Sequence, residues 1–216
     1  MLDKIDRLPF VNEKNAFRLL IAMHLAGAIG LSIPVTQDLF KLLVPFNLLL
    51  TTAILLHFER GKSAKYGVFI LLTFVIGFLA EVLGVKTGLL FGSYTYGPTL
   101  GFKAFEVPIA IGLNWVVLVY CSAHLSKKIA TSTIVRILLG SLIMVAFDLI
   151  IEPVAIKFDF WAWEELNIPI RNYIGWFLLS VLLHTLFHFL IKPSNNSLAV
   201  RLLYIQVAFF LILNII

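Results

Sequence analysis

Residues 66–83 read YGVFILLTFVIGFLAEVL, an apolar run in which Glu81 is the only charged side chain. The run is apolar on every face, whereas a surface helix of a soluble protein carries one apolar stripe and one polar face. About eighteen or more such residues can cross the hydrocarbon core of a bilayer as a helix. The segment therefore predicts a transmembrane helix with one carboxyl group near its end.

Six further segments share this character, so we expect the chain to cross the membrane about seven times. The seven predicted spans are Ala16–Ile33, Leu39–Phe58, Tyr66–Leu83, Val107–Leu125, Thr131–Ile151, Ile170–Ile191 and Leu198–Ile216. Membrane strands would instead show segments of about ten residues with alternating polarity. The predicted fold class is all-α, a polytopic integral membrane helix bundle with two long outer-side loops. It forms one transmembrane domain over residues 1–216.

The composition excludes several classes of protein. Of 216 residues, 60% are hydrophobic and 13% are charged, about half the charge of an average soluble domain. A soluble globular enzyme and a disordered tail are therefore excluded. The single cysteine, Cys121, also excludes a disulfide scaffold within the chain. The net charge of +5 does not predict nucleic-acid binding, because the basic residues form short clusters between apolar runs.

Lysine and arginine are distributed unevenly between alternate connections, and this asymmetry predicts the orientation. One side carries Lys4, Arg7, Lys14, Arg18, Arg60, Lys62, Lys65, Lys127, Lys128, Arg136, Lys192 and Arg201. The other side carries Lys41, Lys86, Lys103, Lys157 and Arg171. Cytoplasmic loops of membrane proteins carry the excess of basic residues. We therefore expect a multi-pass protein of the cell membrane with a cytoplasmic N-terminus and an external C-terminus.

Two predicted outer connections, Gly84–Glu106 and Glu152–Pro169, are long and rich in glycine, proline and aromatic residues. They are too apolar for solvated loops, so we expect them to fold back over or into the outer half of the bundle. Non-helical backbone is tolerated at that depth only where protein buries it. Their aromatic residues include Tyr94, Tyr96, Trp161 and Trp163.

Polar groups at the span ends define a candidate site, because ionisable groups within a bilayer are costly and usually functional. The candidates, all in the predicted outer half, are Glu81, Glu106, Asn114, Asp148, Glu152, Arg171 and Asn172. Two of them, Asp148 and Glu152, are four residues apart and therefore share one helix face.

Simpler interpretations exist for several of these residues. Glu106, Arg171 and Asn172 lie at interfaces, where a polar residue can merely anchor a helix end. The aromatic residues could form the usual interfacial belt. His184 and His188 are four apart and could face one metal ion. Because no carboxylate neighbours them and they lie deeper towards the cytoplasm, packing or hydrogen bonding is the preferred interpretation, and no metal site is predicted.

Two ordered blocks of residues resemble the membrane carotenoid hydratase family, which includes bisanhydrobacterioruberin hydratases and bacterial carotenoid 1',2'-hydratases. The first block is AEVLGVKTG at 80–88, FGSYTY at 91–96, Leu100-Gly101 and Val107-Pro108. The second is Asp148, EPVA at 152–155, WAW at 161–163, Pro169, Asn172-Tyr173 and Gly175-Trp176. The similarity extends from about Phe69 to about His188. The chain departs from the family at Val82, where tryptophan is frequent, and at Glu152, where aspartate is common.

The resemblance implies addition of water across the terminal 1,2 double bond of an acyclic carotenoid end group, without a redox cofactor. A carboxylic acid would protonate the alkene, and water would capture the tertiary cation. We expect Asp148 or Glu81 to be the acid and Glu152 or Glu106 to orient water. The residues expected to bind the substrate or line the cation site are Tyr94, Tyr96, Trp161, Trp163, Asn114, Asn172 and Arg171. An acyclic carotenoid, membrane lipid and neighbouring carotenoid-pathway enzymes are the expected partners.

Two other functions fit the same residues. A carotenoid cyclase would protonate the same end group but close a ring, so its product would gain no oxygen. A carotenoid or lipid transporter would bind the molecule without chemistry and would tolerate Glu81→Gln and Asp148→Asn.

Overall fold

The computed structural model describes residues 12–165, 167–191 and 196–216. The helices in these ranges are α1 (Glu13–Ser32), α2 (Pro34–His57), α3 (Ala64–Thr87), α4 (Ala110–Ile129), α5 (Thr133–Lys157), α6 (Ile170–Leu190) and α7 (Ser197–Ile215). Six of the seven helices in the described part of the chain are long and apolar enough to cross a membrane. The prediction of an all-helical, multi-pass membrane protein is confirmed.

The remaining helix, α4, is the central helix of the bundle. It packs against α2, α3, α5, α6 and α7, and 14 of its 20 residues are buried. Its polar side chains Asn114 and His124 therefore lie largely within protein rather than against lipid tails. This position allows α4 to be less apolar than its neighbours and to carry residues that interact with the candidate site.

Several predicted boundaries are wrong by a few residues. The fifth span was expected to end at Ile151, but α5 continues through Pro153 to Lys157. A proline removes one backbone donor, and packed neighbouring helices allow a membrane helix to continue past it. At its start, Ser63 caps α3 by accepting a hydrogen bond from the backbone N–H of Tyr66 at 3.3 Å.

Among the described residues, four short strands in two antiparallel ribbons lie between α3 and α4 and between α5 and α6. The strands are β1 (Tyr94–Tyr96), β2 (Lys103–Ala104), β3 (Val107–Pro108) and β4 (Trp161–Trp163). Strand β1 pairs with β4, so the ribbon joins both connections at one end of the bundle, while β2 pairs with β3. The predicted start of the fourth span at Val107 is wrong, because Val107 pairs in β3 and the helix begins at Ala110.

Close approach of the two connections depends on Gly97. A Cβ atom at this position would lie 2.0 Å from the carbonyl oxygen of Asp159, a distance that no side chain can accept. Without that side chain, the Gly97 N–H donates to the carbonyl oxygen of Phe160 at 2.9 Å. The glycine thus fixes the position of β4 next to β1 and places its tryptophans against the bundle.

Candidate active site

Glu81, near the end of α3, accepts hydrogen bonds from three aromatic side chains. Its Oε2 atom accepts from the hydroxyl groups of Tyr94 at 2.6 Å and Tyr96 at 2.8 Å. Its Oε1 atom accepts from the indole Nε1–H of Trp115 at 2.9 Å. The side chain is 3% exposed. These donors compensate part of the cost of placing a carboxyl group in an apolar interior.

Asp148 and Glu152 lie one turn apart on α5 and share a partner on α6. The Nδ2 group of Asn172 donates to Asp148 Oδ2 at 2.6 Å and to Glu152 Oε1 at 3.3 Å. The Oε2 atom of Glu152 accepts from the indole groups of Trp161 at 3.1 Å and Trp163 at 2.9 Å. The structure therefore brings the two carboxyl groups together, with Asn172 connecting them.

The second oxygen of Asp148, Oδ1, is buried and has no hydrogen-bond partner among the described residues. Asp148 itself is 0% exposed. Leaving an acceptor unpaired in an apolar interior is costly, and a carboxylate bears a larger cost than a neutral carboxylic acid. Of the three carboxyl groups, Asp148 accepts the fewest hydrogen bonds and is the one least supported as an anion.

The aromatic residues of the two connections form a ladder across the β1–β4 ribbon. Tyr94 lies opposite Trp163 and Tyr96 lies opposite Trp161. The ring centroids of Tyr94 and Trp163 are 5.1 Å apart, and those of Tyr96 and Trp161 are 6.1 Å apart. Because alternate residues of a strand point to one face, both strands direct their aromatic side chains toward the carboxyl groups.

Burial keeps the two tyrosines in their donor form. Removal from water is the main cause that raises the pKa of Tyr94 and of Tyr96 well above the usual value, and the nearby Glu81 carboxyl group adds to it. Both hydroxyl groups therefore stay protonated at any physiological pH, and each donates its proton to Glu81. This fixes the direction of the hydrogen bonds in the site.

Two cavities adjoin these side chains. A small one of about 20 Å³ is lined by residues that include Glu81, Glu152 and Asn172, and it has room for about one water molecule. A second cavity of about 350 Å³ is mostly apolar and extends among α1, α2, α4 and α7. Ile111 and Trp161 line both cavities. The polar cavity is therefore next to an apolar one.

Three predicted site residues lie away from the carboxyl groups. Glu106 is exposed in the two-residue turn between β2 and β3 and forms an ion pair with Lys86 at 2.7 Å. The hydrogen bond and charge of Lys86 lower the pKa of Glu106. Arg171 is exposed and donates to the carbonyl oxygen of Gly88 at 3.3 Å. Asn114 lines the large apolar cavity.

The histidine pair forms hydrogen bonds or packs in the bundle. His184 Nδ1 lies 2.8 Å from the carbonyl oxygen of Ser180, and its Nε2 lies 2.9 Å from the hydroxyl of Ser122. His188 packs edge-to-face on Phe187, with ring centroids 5.4 Å apart. Within the described ranges, no group of three or more His, Cys, Asp and Glu residues is arranged to hold a metal ion.

Sequence reasoning missed two tryptophans of the site. Trp115 donates to Glu81, and Trp176 stacks on Trp115 with ring centroids 4.5 Å apart and lines the small cavity. Trp115 directly follows the predicted site residue Asn114, and Trp176 belongs to the second block of the resemblance. Both tryptophans could therefore have been included in the predicted site. The signal for Trp115 is that a buried carboxyl group such as Glu81 needs a hydrogen-bond donor, and the indole N–H of a tryptophan on a neighbouring helix can provide one.

The fold and the site define a membrane protein with a buried carboxyl and aromatic centre. A family described as carotenoid biosynthesis protein matches residues 42–216, which is more than half of the chain, and the chain belongs to this family. It is also 33% identical over 118 residues to a protein of Haloarcula japonica named bisanhydrobacterioruberin hydratase. That alignment covers 50% of this chain and 40% of the relative, so the chain spans less than half of its length. No solved structure matches the chain.

Proposed function

We propose that this carotenoid biosynthesis protein is a hydratase that adds water across the terminal 1,2 double bond of an acyclic carotenoid end group. The product is a tertiary alcohol. The observation that carries the proposal is a cluster of three buried carboxyl groups, Glu81, Asp148 and Glu152, of which Glu81 and Glu152 line a cavity the size of one water molecule. A proton source and a water site are the two requirements for hydration of an alkene.

The first step is proton transfer to the alkene. Asp148 and Glu152 are buried neighbours on one helix face, and two like charges there would repel each other, so the pair shares a proton. Glu152 lines the small cavity, whereas Asp148 does not line it and accepts a hydrogen bond from Asn172. We propose that Glu152 transfers the proton to the alkene and that the Asp148–Glu152 pair holds this proton before the transfer. The proton adds to one carbon of the terminal double bond and forms a new C–H bond there, which leaves the positive charge on the other, tertiary carbon.

The second step is capture of the cation by water. The water oxygen forms a bond to the tertiary carbon, and the proton it releases returns to the carboxylate of the Asp148–Glu152 pair. The site is thereby restored, and the reaction consumes only the alkene and one water molecule. The sequence of steps requires no redox cofactor.

The surroundings of the site suit a cationic intermediate. Glu81, supported by three donors, provides a fixed negative group beside the cavity. The ring faces of aromatic residues attract positive charge through their quadrupole, and Tyr94, Tyr96, Trp161 and Trp163 lie around the cluster. The polar groups are already held in place by hydrogen bonds, so little reorganisation accompanies the development of charge.

The comparisons support the reaction class. The family is that of carotenoid biosynthesis, and the relative from Haloarcula japonica is named as a hydratase. A cyclase would have to exclude water from the cation, and the small cavity beside the carboxyl groups argues for the hydratase. Binding a hydrocarbon without chemistry requires no carboxyl group, so the costly burial of three carboxyl groups favours an enzyme over a protein that only carries the carotenoid.

We propose a cytoplasmic N-terminus and an external C-terminus, so that the carboxyl cluster lies toward the outer side. Of the basic residues assigned to the cytoplasmic side, those in the described ranges lie at or near the helix ends opposite the β1–β4 ribbon. Lys4, Arg7 and Lys192 lie outside the described residues. The excess of basic residues at one end is the signal that orients membrane proteins.

The reaction can be tested by expressing the protein in a host that accumulates lycopene and analysing the pigments by mass. A hydratase increases the mass of the pigment by one water molecule for each end that reacts. A cyclase gives a product of unchanged mass, and a transporter leaves the pigment unaltered. Either of the latter results would overturn the proposal. A host expressing Glu81→Gln serves as the control for background hydroxylation.

A further inference from the structure

The large apolar cavity reaches the lipid-facing surface of the bundle. Three residues of α2 that line it, Leu43, Phe46 and Leu50, are 43%, 66% and 46% exposed. In a membrane protein, such side chains face lipid tails. The cavity therefore opens sideways into the bilayer along α2, and it shares the lining residues Ile111 and Trp161 with the small polar cavity.

We infer that this cavity binds one end of an acyclic polyene chain, while the rest of the molecule stays in the bilayer. The inference rests on the proposed function, and it adds which part of the substrate the protein recognises. A chain entering beside α2 would direct its end toward the carboxyl groups. The walls are formed mainly by aliphatic and aromatic side chains, which suit a hydrocarbon and provide no charged group for a phospholipid headgroup.

The volume of the cavity limits how much of the substrate can enter. An apolar protein cavity of about 150 Å³ accommodates one benzene molecule, which has six carbons. In proportion, the 350 Å³ cavity accommodates about fourteen carbons, or roughly three isoprene units. A carotenoid of thirty or more carbons would leave more than half of its length outside the protein.

Partial entry has a consequence for specificity. Only the end group and the adjoining part of the chain contact the protein, so selection acts at one end in each binding event. The protein should therefore bind acyclic polyenes of different total length with similar affinity. A symmetric substrate would react at its two ends in two separate binding events, through an intermediate that carries one hydroxyl group.

The test uses tryptophan substitutions on the two faces of α2. Val44 and Leu48 line the cavity, whereas Leu42 and Leu49 are exposed and do not line it. The four proteins Val44→Trp, Leu48→Trp, Leu42→Trp and Leu49→Trp would be loaded with lycopene in detergent and washed free of lipid and unbound pigment, so that no bilayer retains lycopene independently of the protein. Retained lycopene would be measured by absorbance. Leu42→Trp and Leu49→Trp, at positions of α2 that do not line the cavity, control for damage to the helix.

We expect Val44→Trp and Leu48→Trp to retain at least about fivefold less lycopene, because the larger side chain would occupy part of the volume that the polyene fills when bound. Leu42→Trp and Leu49→Trp should retain as much as the unaltered protein, and an acyclic polyene of thirty carbons should bind as well as lycopene. Equal retention by all variants, or strong dependence on chain length, would overturn the inference. Because hydration of the isolated 1,2 double bond leaves the conjugated chromophore intact, absorbance measures binding whether or not turnover occurs. Binding in the cavity with no hydration would therefore contradict only the proposed function.

Discussion

Replacing a carboxyl group by its amide should affect stability differently at two positions of the site. Glu81→Gln and Asp148→Asn both preserve shape, but Glu81 accepts three hydrogen bonds whereas Asp148 accepts one. An amide has a single acceptor oxygen, so at least one donor to residue 81 loses its partner. A hydrogen bond to a charged group contributes about 1.5–3 kcal/mol, and we expect Glu81→Gln to lower the free energy of unfolding by at least that amount.

Asp148→Asn should change the free energy of unfolding by less than about 1 kcal/mol, the net contribution of a neutral hydrogen bond. The amide oxygen still accepts from Asn172, and the amide nitrogen takes the place of a buried carboxyl oxygen that has no partner among the described residues, so one unpaired polar group is exchanged for another. Both variants should nevertheless lose turnover. Asp148→Asn removes the carboxyl group that shares a proton with Glu152, and Glu81→Gln removes the negative group beside the cation.

The measurement is chemical unfolding in nanodiscs, paired with pigment conversion by the same preparations. Glu106→Gln, at an exposed position away from the cluster, is the matched control and should alter neither quantity strongly. If Asp148→Asn is the more destabilising of the two site variants, the hydrogen-bond reasoning is wrong. If Asp148→Asn turns over at the rate of the unaltered protein, the shared-proton pair is wrong.

Three further predictions test other parts of the account. Alkaline phosphatase fused after Gly92 should be active and fused after Lys127 inactive; the reverse pattern would contradict the proposed orientation. His184→Gln and His188→Ala should retain a measurable fraction of activity, and chelators should have little effect. Activity that is lost on chelation and restored by one metal would instead indicate a metal-dependent site at the histidines of α6. Tyr96→Phe removes one hydrogen-bond donor to Glu81 and should slow turnover about tenfold while the protein stays folded, because a hydrogen bond to a charged group is lost. An unchanged rate would exclude Glu81 from the reaction.

Helices could be predicted from the sequence because their signal is local. An apolar run such as residues 66–83 needs no partner to be identified as a span, since the bilayer alone selects it. The ends were less accurate, as at Pro153 in α5, because neighbouring helices decide whether a membrane helix continues past a proline. Packing against distant segments is not visible in a run of residues.

The candidate site was predicted in part for the same reason. Asp148 and Glu152 share a helix face by spacing alone, and the structure places them together with Asn172. The pairing of β1 with β4 joins segments more than sixty residues apart, and no local pattern encodes it. Glu106 appeared equivalent to the other acidic residues in the sequence, but its position in an exposed turn beside Lys86 separates it from them.

The most direct test of the central claim is the source of the oxygen in the product. Membranes that contain the protein would be incubated anaerobically with an acyclic carotenoid in oxygen-18 water, without added nicotinamide or flavin. The account predicts a hydroxylated product that carries the heavy oxygen, and no such product with Glu81→Gln. A product without the label, formation only in the presence of molecular oxygen, or conversion to a ring of unchanged mass would contradict hydration at this carboxyl cluster.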